Sequence, residues 1–136
     1  MDYLPLFHDL KGRRILVVGG GEIALRKVRL VQEASALITI IAKDYCPDLL
    51  AMDAKDTADG CNGLELITDA YEHRHLLAYP DTVMVIAATN DRDLNRLVSE
   101  HAQAANMLSN VVDDPGFSTV IFPSIVDRSP IQVAIS

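Results

Sequence analysis

Tryptophan is absent from the 136 residues and aromatic side chains make up only 5%, which weakens any function that rests on stacking nucleic-acid bases. Positive charge is also scarce. Lys and Arg number 12 against 19 Asp and Glu, for a net charge of -7 and a pI near 4.9. That balance argues against a protein that lives on nucleic acid or on an anionic membrane, and requires any anionic ligand to be met by a local cluster of donors. Cysteine is limited to Cys46 and Cys61, which lie in no paired motif and read as two reduced thiols. No apolar run approaches the roughly 18 residues of a membrane span. The start, Met1-Asp2-Tyr3-Leu4-Pro5, lacks a basic segment followed by an apolar one, so no signal peptide is read and a cytoplasmic location is expected. There is no internal repeat and no low-complexity stretch, and the length permits one domain.

What is present is an alternation of buried strands and amphipathic helices. Ile15-Leu16-Val17-Val18 is a β-branched apolar run suited to a strand covered on both faces. Gly19-Gly20-Gly21 ends it, and Glu22 to Ala34 follows as a helix with Ala24, Val28, Val31 and Ala34 on one stripe and Arg26, Lys27 and Arg29 mostly off it. Leu37 to Ile41 is a second strand, completing a βαβ unit. Pro47 opens a short helix through Leu49, Leu50 and Met52, and Asp53 to Gly63 reads as an exposed loop. Further strands are expected at Leu64–Thr68, Thr82–Ala88 and Met107–Val112, and helices at His73–Tyr79, stopped by Pro80, and Asp91–Ala105, with Leu94, Leu97, Val98 and His101 on one side. After the Asp114-Pro115-Gly116 turn, Ser118–Phe122 and Pro130–Ile135 look like two added antiparallel strands around Asp127-Arg128-Ser129. The expected fold class is α/β, a doubly wound parallel sheet over residues 1–113, followed from 114 to 136 by the start of an antiparallel element.

Four places carry chemistry. Gly19-Gly20-Gly21-Glu22-Ile23-Ala24 matches G-x-G-x-x-A between a strand and a helix. Its first glycine permits a tight turn, its second lets a pyrophosphate approach the backbone, and Ala24 lets helix and strand pack closely. The usual acidic residue about 20 positions on is missing. Lys43 and Asp44 stand there instead: Lys43 would suit a 2′-phosphate or be a solvated surface residue, Asp44 would suit a ribose, and NAD is expected over NADP. Thr89 and Asn90, at the end of the fourth strand, could bond a cofactor ribose, Asn90 or Asp91 could cap the next helix, or both readings could hold. Asp113 emerges from the fifth strand at the same sheet edge, as a general base, a metal-handling group, or a carboxylate that caps the Pro115 turn. His73-Arg74-His75 has the look of a chelate, but residues two apart on a helix face different ways and surface or capping roles are expected. Neither His8 nor His101 has a partner that the sequence reveals, and no Tyr–Lys pair or Ser-His-Asp set can be read.

Taken together, Leu4-Pro5-Leu6-Phe7, Val17 to Gly21, Ala24 to Lys27, Ala87 to Asp91, Asn110 to Asp113 and Phe122 to Pro130 resemble, in order from end to end, the precorrin-2 dehydrogenase/sirohydrochlorin ferrochelatase family, the N-terminal module of siroheme synthases. The resemblance implies NAD-dependent dehydrogenation of precorrin-2 to sirohydrochlorin, with insertion of Fe2+ as a second activity and a homodimer as the assembly. It places the cofactor loop on Gly19 to Ala24 and the cofactor turn on Thr89 and Asn90. It makes Asp113 the general base with a transient contact to the metal, and the final hairpin, with Ser124 and Arg128, a source of substrate contacts. Arg128 would pair with a substrate carboxylate or with Asp127. Two departures stand out: Ser35 occupies a position where glycine commonly ends the first helix, and the loop expected at Asp53 to Gly63 is long. The family also continues past Ser136 into a region that completes dimerisation and the tetrapyrrole cleft, so a truncated form is expected. The rival reading is a non-catalytic NAD(H)-sensing module, which would need neither Asp113 nor the Phe122 to Pro130 segment.

Overall fold

The computed structural model describes residues 1–128 and 131–135. Residues 1–10 form no regular element and leave Leu4, Leu6 and Phe7 exposed. From Arg14 onward the chain alternates as the hydrophobic pattern requires. Strands β1 (Arg14–Val18), β2 (Leu37–Ala42), β3 (Leu64–Thr68), β4 (Thr82–Ala87) and β5 (Leu108–Val111) form one parallel sheet in the order β3-β2-β1-β4-β5. Helices α1 (Glu22–Glu33) and α2 (Pro47–Asp59) supply the core on one face, and α3 (His73–Leu77) and α4 (Arg92–Ala104) on the other. β1 lies at the centre of this double winding. Ile15 and Val17 enter the α1/α2 core, Leu16 and Val18 the α3/α4 core, and all four are buried. Truncating such a residue to alanine costs about 2–5 kcal/mol.

Helix α1 buries Ala24, Leu25, Val28 and Val31. Ala34, expected on that stripe, is instead the exposed C-cap, and Leu25 takes its place because the buried arc turns toward the sheet. Ser35 has φ 61°, with its N–H on Gln32 O and the Ala36 N–H on Val31 O. This is the left-handed closure that normally selects glycine. α4 closes in the same way on Asn106, φ 58°.

Three further expectations are corrected. Asp53 to Gly63 is not a loop: α2 runs on to Asp59 and ends at Gly60 in the left-handed region. Its polar residues lie on the outer side of a covering helix, where polarity does not oppose helix formation. On α4, Leu97 is exposed, and the buried face is Asn95, Val98, Ser99 and Ala102. Ser118–Phe122 is not a strand. A 3₁₀ turn at Pro115–Phe117 leads into an irregular segment held against the β5 edge. There the Thr119 and Val120 N–H groups donate to Ser109 O, and the Ser118 hydroxyl accepts from the Val111 N–H at 2.8 Å. Side-chain oxygens thus occupy part of an edge that would otherwise be open. The antiparallel pair comes later, as β6 (Ser124–Arg128) and β7 (Ile131–Ile135), a separate two-stranded sheet. The expected start of the second strand at Pro130 lies outside the described residues.

Candidate functional site

The sheet reverses its winding between β1 and β4, and the loops that follow those strands open a crevice at their carboxyl ends, the place where doubly wound folds take ligands. An open cleft of about 720 Å³ lies there, walled by Gly19, Gly20 and Gly21, by Lys43 and Asp44, and by Thr89 and Asn90 among others. The glycines divide the work. Gly19 has φ 130°, and a side chain on it would collide with the Ala88 carbonyl; one on Gly20 would collide with the Asp44 carbonyl. These two are required by the protein's own packing. A side chain on Gly21 would meet no protein atom within 4 Å, so its openness faces the cleft. Gly21 is also the N-cap of α1 and gives no side-chain cap. The first amides of a 12-residue helix therefore stand free at the positive end of its dipole, where a phosphate is stabilised. Ala24 is fully buried beneath them. Glu22 and Ile23 line the same cleft.

Carboxylates surround this cleft. Glu22, Asp44, Asp69 and Asp91 line it against one cation, Lys43. Asp69 is held by Arg74 at 2.6 Å and by His75 Nε2 at 3.1 Å, and the Arg74 contact leads in keeping its carboxyl below the usual range. Asp91 caps α4 by accepting from the Asp93 and Leu94 N–H groups. The Thr89 hydroxyl lies 2.6 Å from Asn95 Oδ1, and the Asn95 amide donates back to Thr89 O at 3.0 Å. Of the two residues expected as a cap, Asn90 or Asp91, it is Asp91 that takes the role. Asn90 is exposed at the cleft wall.

Asp113 follows β5 at the same carboxyl edge, two strands from β1, roughly 10 Å away by strand spacing. It has φ 57°, a left-handed conformation that Asp tolerates better than most residues but still at a cost. It opens into a second cleft of about 380 Å³ with Ile23, Arg26, Lys27, Phe122 and Pro123. Ile23 belongs to both clefts. Arg26, Lys27 and Asp113 make no ion pair among the described residues. The Lys27 ammonium lies 4.6 Å from the centroid of the Phe122 ring. Burial pushes its pKa down, while the Asp113 carboxylate works in the opposite direction.

The structure does not bring every expected residue to these clefts. Ser124 and Arg128 are exposed on β6 and line neither cleft, and Arg128 donates to the Asp127 main-chain oxygen at 3.0 Å rather than to its carboxylate. His75 is buried, with Nδ1 2.9 Å from the Glu72 N–H nitrogen, a capping role. His73 stacks on His101 at 4.0 Å, and His101 Nδ1 is 2.9 Å from the Tyr71 hydroxyl, a partner that sequence reading missed because it lies 30 residues away. Tyr71 lines the glycine cleft, and burial raises its pKa to about 12. Lys27 and Phe122 were missed as site residues too. Ile23, Arg26, Lys27 and Leu30 share one helix face at spacings of 3, 1 and 3, a signal legible beside the buried stripe.

Both cysteines are free, and among the described residues no helix is long and apolar enough to cross a membrane. A family model described as "Putative NAD(P)-binding" matches residues 6–124. The chain is 49% identical over all 136 residues to a siroheme synthase of Pseudomonas entomophila and 47% identical to siroheme synthase 1 of Cronobacter sakazakii, covering 27% of each. The chain thus spans about a quarter of the length of these curated relatives. Among solved structures, SirC, a precorrin-2 dehydrogenase, superposes with a TM-score of 0.80 at 26% identity, over 98% of this chain and 61% of that one. With the glycine-lined crevice, the uncapped helix start and a match over most of its length, the chain belongs to this NAD(P)-binding family.

Proposed function

We propose that this protein takes part in siroheme synthesis as an NAD-dependent precorrin-2 dehydrogenase. The observation that carries the reading is the pair of adjoining clefts: one built of glycines and open amides, the other holding Asp113, Arg26 and Lys27, with Ile23 as their common wall. The residues of the first cleft fit a dinucleotide, because Gly21 leaves open the space that a Cβ would fill and the free α1 amides would hold its diphosphate. The dinucleotide, when bound, supplies the hydride acceptor. Glu22 and Asp44 beside that cleft outweigh Lys43 and disfavour an added 2′-phosphate, which supports NAD over NADP. In the second cleft Asp113 takes the proton that precorrin-2 must lose along with its hydride.

Iron insertion belongs to the same proposal. Fe2+ is then a substrate, and Asp113 accepts the inner protons that the macrocycle releases as the metal enters. Two NAD+-dependent readings are separated by one experiment. A dehydrogenase forms NADH when mixed with NAD+ and precorrin-2, whereas a sensing module binds NAD+ and forms none. A carboxylate held in a left-handed turn at the wall of a cleft favours the enzyme.

The hairpin supports a homodimer. A two-stranded sheet alone is marginal in water, and Ile125, Val133 and Ile135 on β6 and β7 are exposed. A second copy of the chain would cover them, and a mass measurement in solution tests this. Free thiols at Cys46 and Cys61 accord with the reducing cytoplasm.

A further inference from the structure

Lys27 is a long, costly side chain in a place where a shorter or apolar one would pack more easily. It is half-buried on α1, its ammonium lies over the Phe122 ring, and it shares the second cleft with Asp113 without closing an ion pair on it among the described residues. Arg26 enters the same cleft from the neighbouring helical position. In a chain of net charge -7, two adjacent cations without carboxylate partners among the described residues form the local cluster that an acidic ligand requires. The aromatic face fixes the ammonium by cation–π attraction, so little side-chain freedom is lost when an anion arrives. Asp113 in turn closes no ion pair on the ammonium, which leaves Lys27 open to an incoming carboxylate.

We infer that Lys27, held by Phe122 and assisted by Arg26, is the carboxylate anchor of the second cleft, gripping one acidic arm of a polycarboxylate macrocycle so that its edge rests beside Asp113. The inference rests on the dehydrogenase reading for the identity of that macrocycle. Lys27 acts by binding and orienting. It carries no proton in the reaction.

The test measures the affinity of the 136-residue chain for sirohydrochlorin, by the ligand's own absorbance, and for NAD+ in parallel. Lys27→Gln is expected to weaken sirohydrochlorin binding about tenfold or more, the worth of one charge-assisted hydrogen bond, while NAD+ affinity stays the same. Lys27→Arg is expected to restore most of the loss. Phe122→Leu, which keeps the cation but removes the ring, should weaken binding by about threefold. The wild-type affinity should fall more steeply with salt than that of Lys27→Gln. Unchanged affinity in a folded Lys27→Gln that still takes NAD+ would overturn the anchor and leave the dehydrogenase reading intact. If bound sirohydrochlorin shifts the NMR signals of no residue in the second cleft, that cleft is not a tetrapyrrole site and both ideas fall.

Discussion

Lys27 of α1 and Asp113 of the turn after β5 face one cleft from two sides, near enough for the carboxylate to act on the lysine's ionisation but not closed into an ion pair. Burial disfavours the ammonium, and Asp113 partly offsets that. Replacing Asp113 by Asn should therefore lower the Lys27 pKa further. Replacing Lys27 by Met should raise stability by about 0.5 kcal/mol, a small value because the side chain is only half-buried and solvent screens it. A titration of the lysine ε-carbon by NMR checks the first, and a urea midpoint the second. An upward shift in the first experiment would contradict the assigned geometry.

The three glycines should separate by experiment. Gly19→Ala meets both an unfavourable φ and the Ala88 carbonyl, and is expected to cost about 2 kcal/mol or more of stability along with cofactor binding. Gly21→Ala meets no protein atom within 4 Å, so its thermal midpoint should barely move while NAD+ affinity drops at least tenfold. Calorimetric NAD+ titration beside a melting curve distinguishes the two classes. Equal losses of stability in both variants would argue against a ligand at Gly21.

Strain at Asp113 gives a stability–activity trade. Asp113→Gly relieves a left-handed conformation and should stabilise the fold by about 0.5–1 kcal/mol while abolishing precorrin-2 turnover. Ser35→Gly, also in that region at φ 61° but remote from chemistry, should give a similar gain with full activity. Chemical denaturation and NADH formation measured on the same preparations check the pair.

His101 should make the fold acid-sensitive. Its pKa is lowered, first by burial and then by the neighbouring His73, with Glu100 acting weakly in the other direction, and Tyr71 bonds its ring nitrogen. A depressed folded-state pKa means that its contribution is fully present above the unfolded value of 6.5. The contribution is lost as pH falls toward and through the lower folded value. Urea midpoints should decline between about pH 7 and about pH 5, and His101→Gln should flatten that part of the profile. An identical slope in the variant would assign the acid sensitivity elsewhere.

Strands β1, β2 and β4 and the glycine turn were legible because their signals are local: β-branched runs four to seven residues long, then a motif that fixes the backbone. The first turns of α2, from Pro47 through Met52, were legible too, but its polar second half was not, since Asp53 to Asp59 has no apolar periodicity once the inner face is satisfied by Leu49 and Met52. The Ser118 to Val120 segment misled for the opposite reason. Its residues look strand-like, but Ser118 and Thr119 use their side-chain oxygens on β5 in place of a regular ladder. Asp113 could be placed from the sequence because it follows a strand. Its cleft partners could not, as Lys27 and Phe122 lie 95 residues apart and meet only through the fold.

The most direct test mixes the protein with NAD+ and precorrin-2 and follows NADH by its near-ultraviolet absorbance, in wild type and in Asp113→Asn, with NAD+ affinity measured for each. The account expects one NADH per macrocycle oxidised in wild type, and in the variant retained NAD+ affinity with little or no NADH. Undiminished NADH formation by Asp113→Asn, or none by a wild-type chain that takes both ligands, would contradict it.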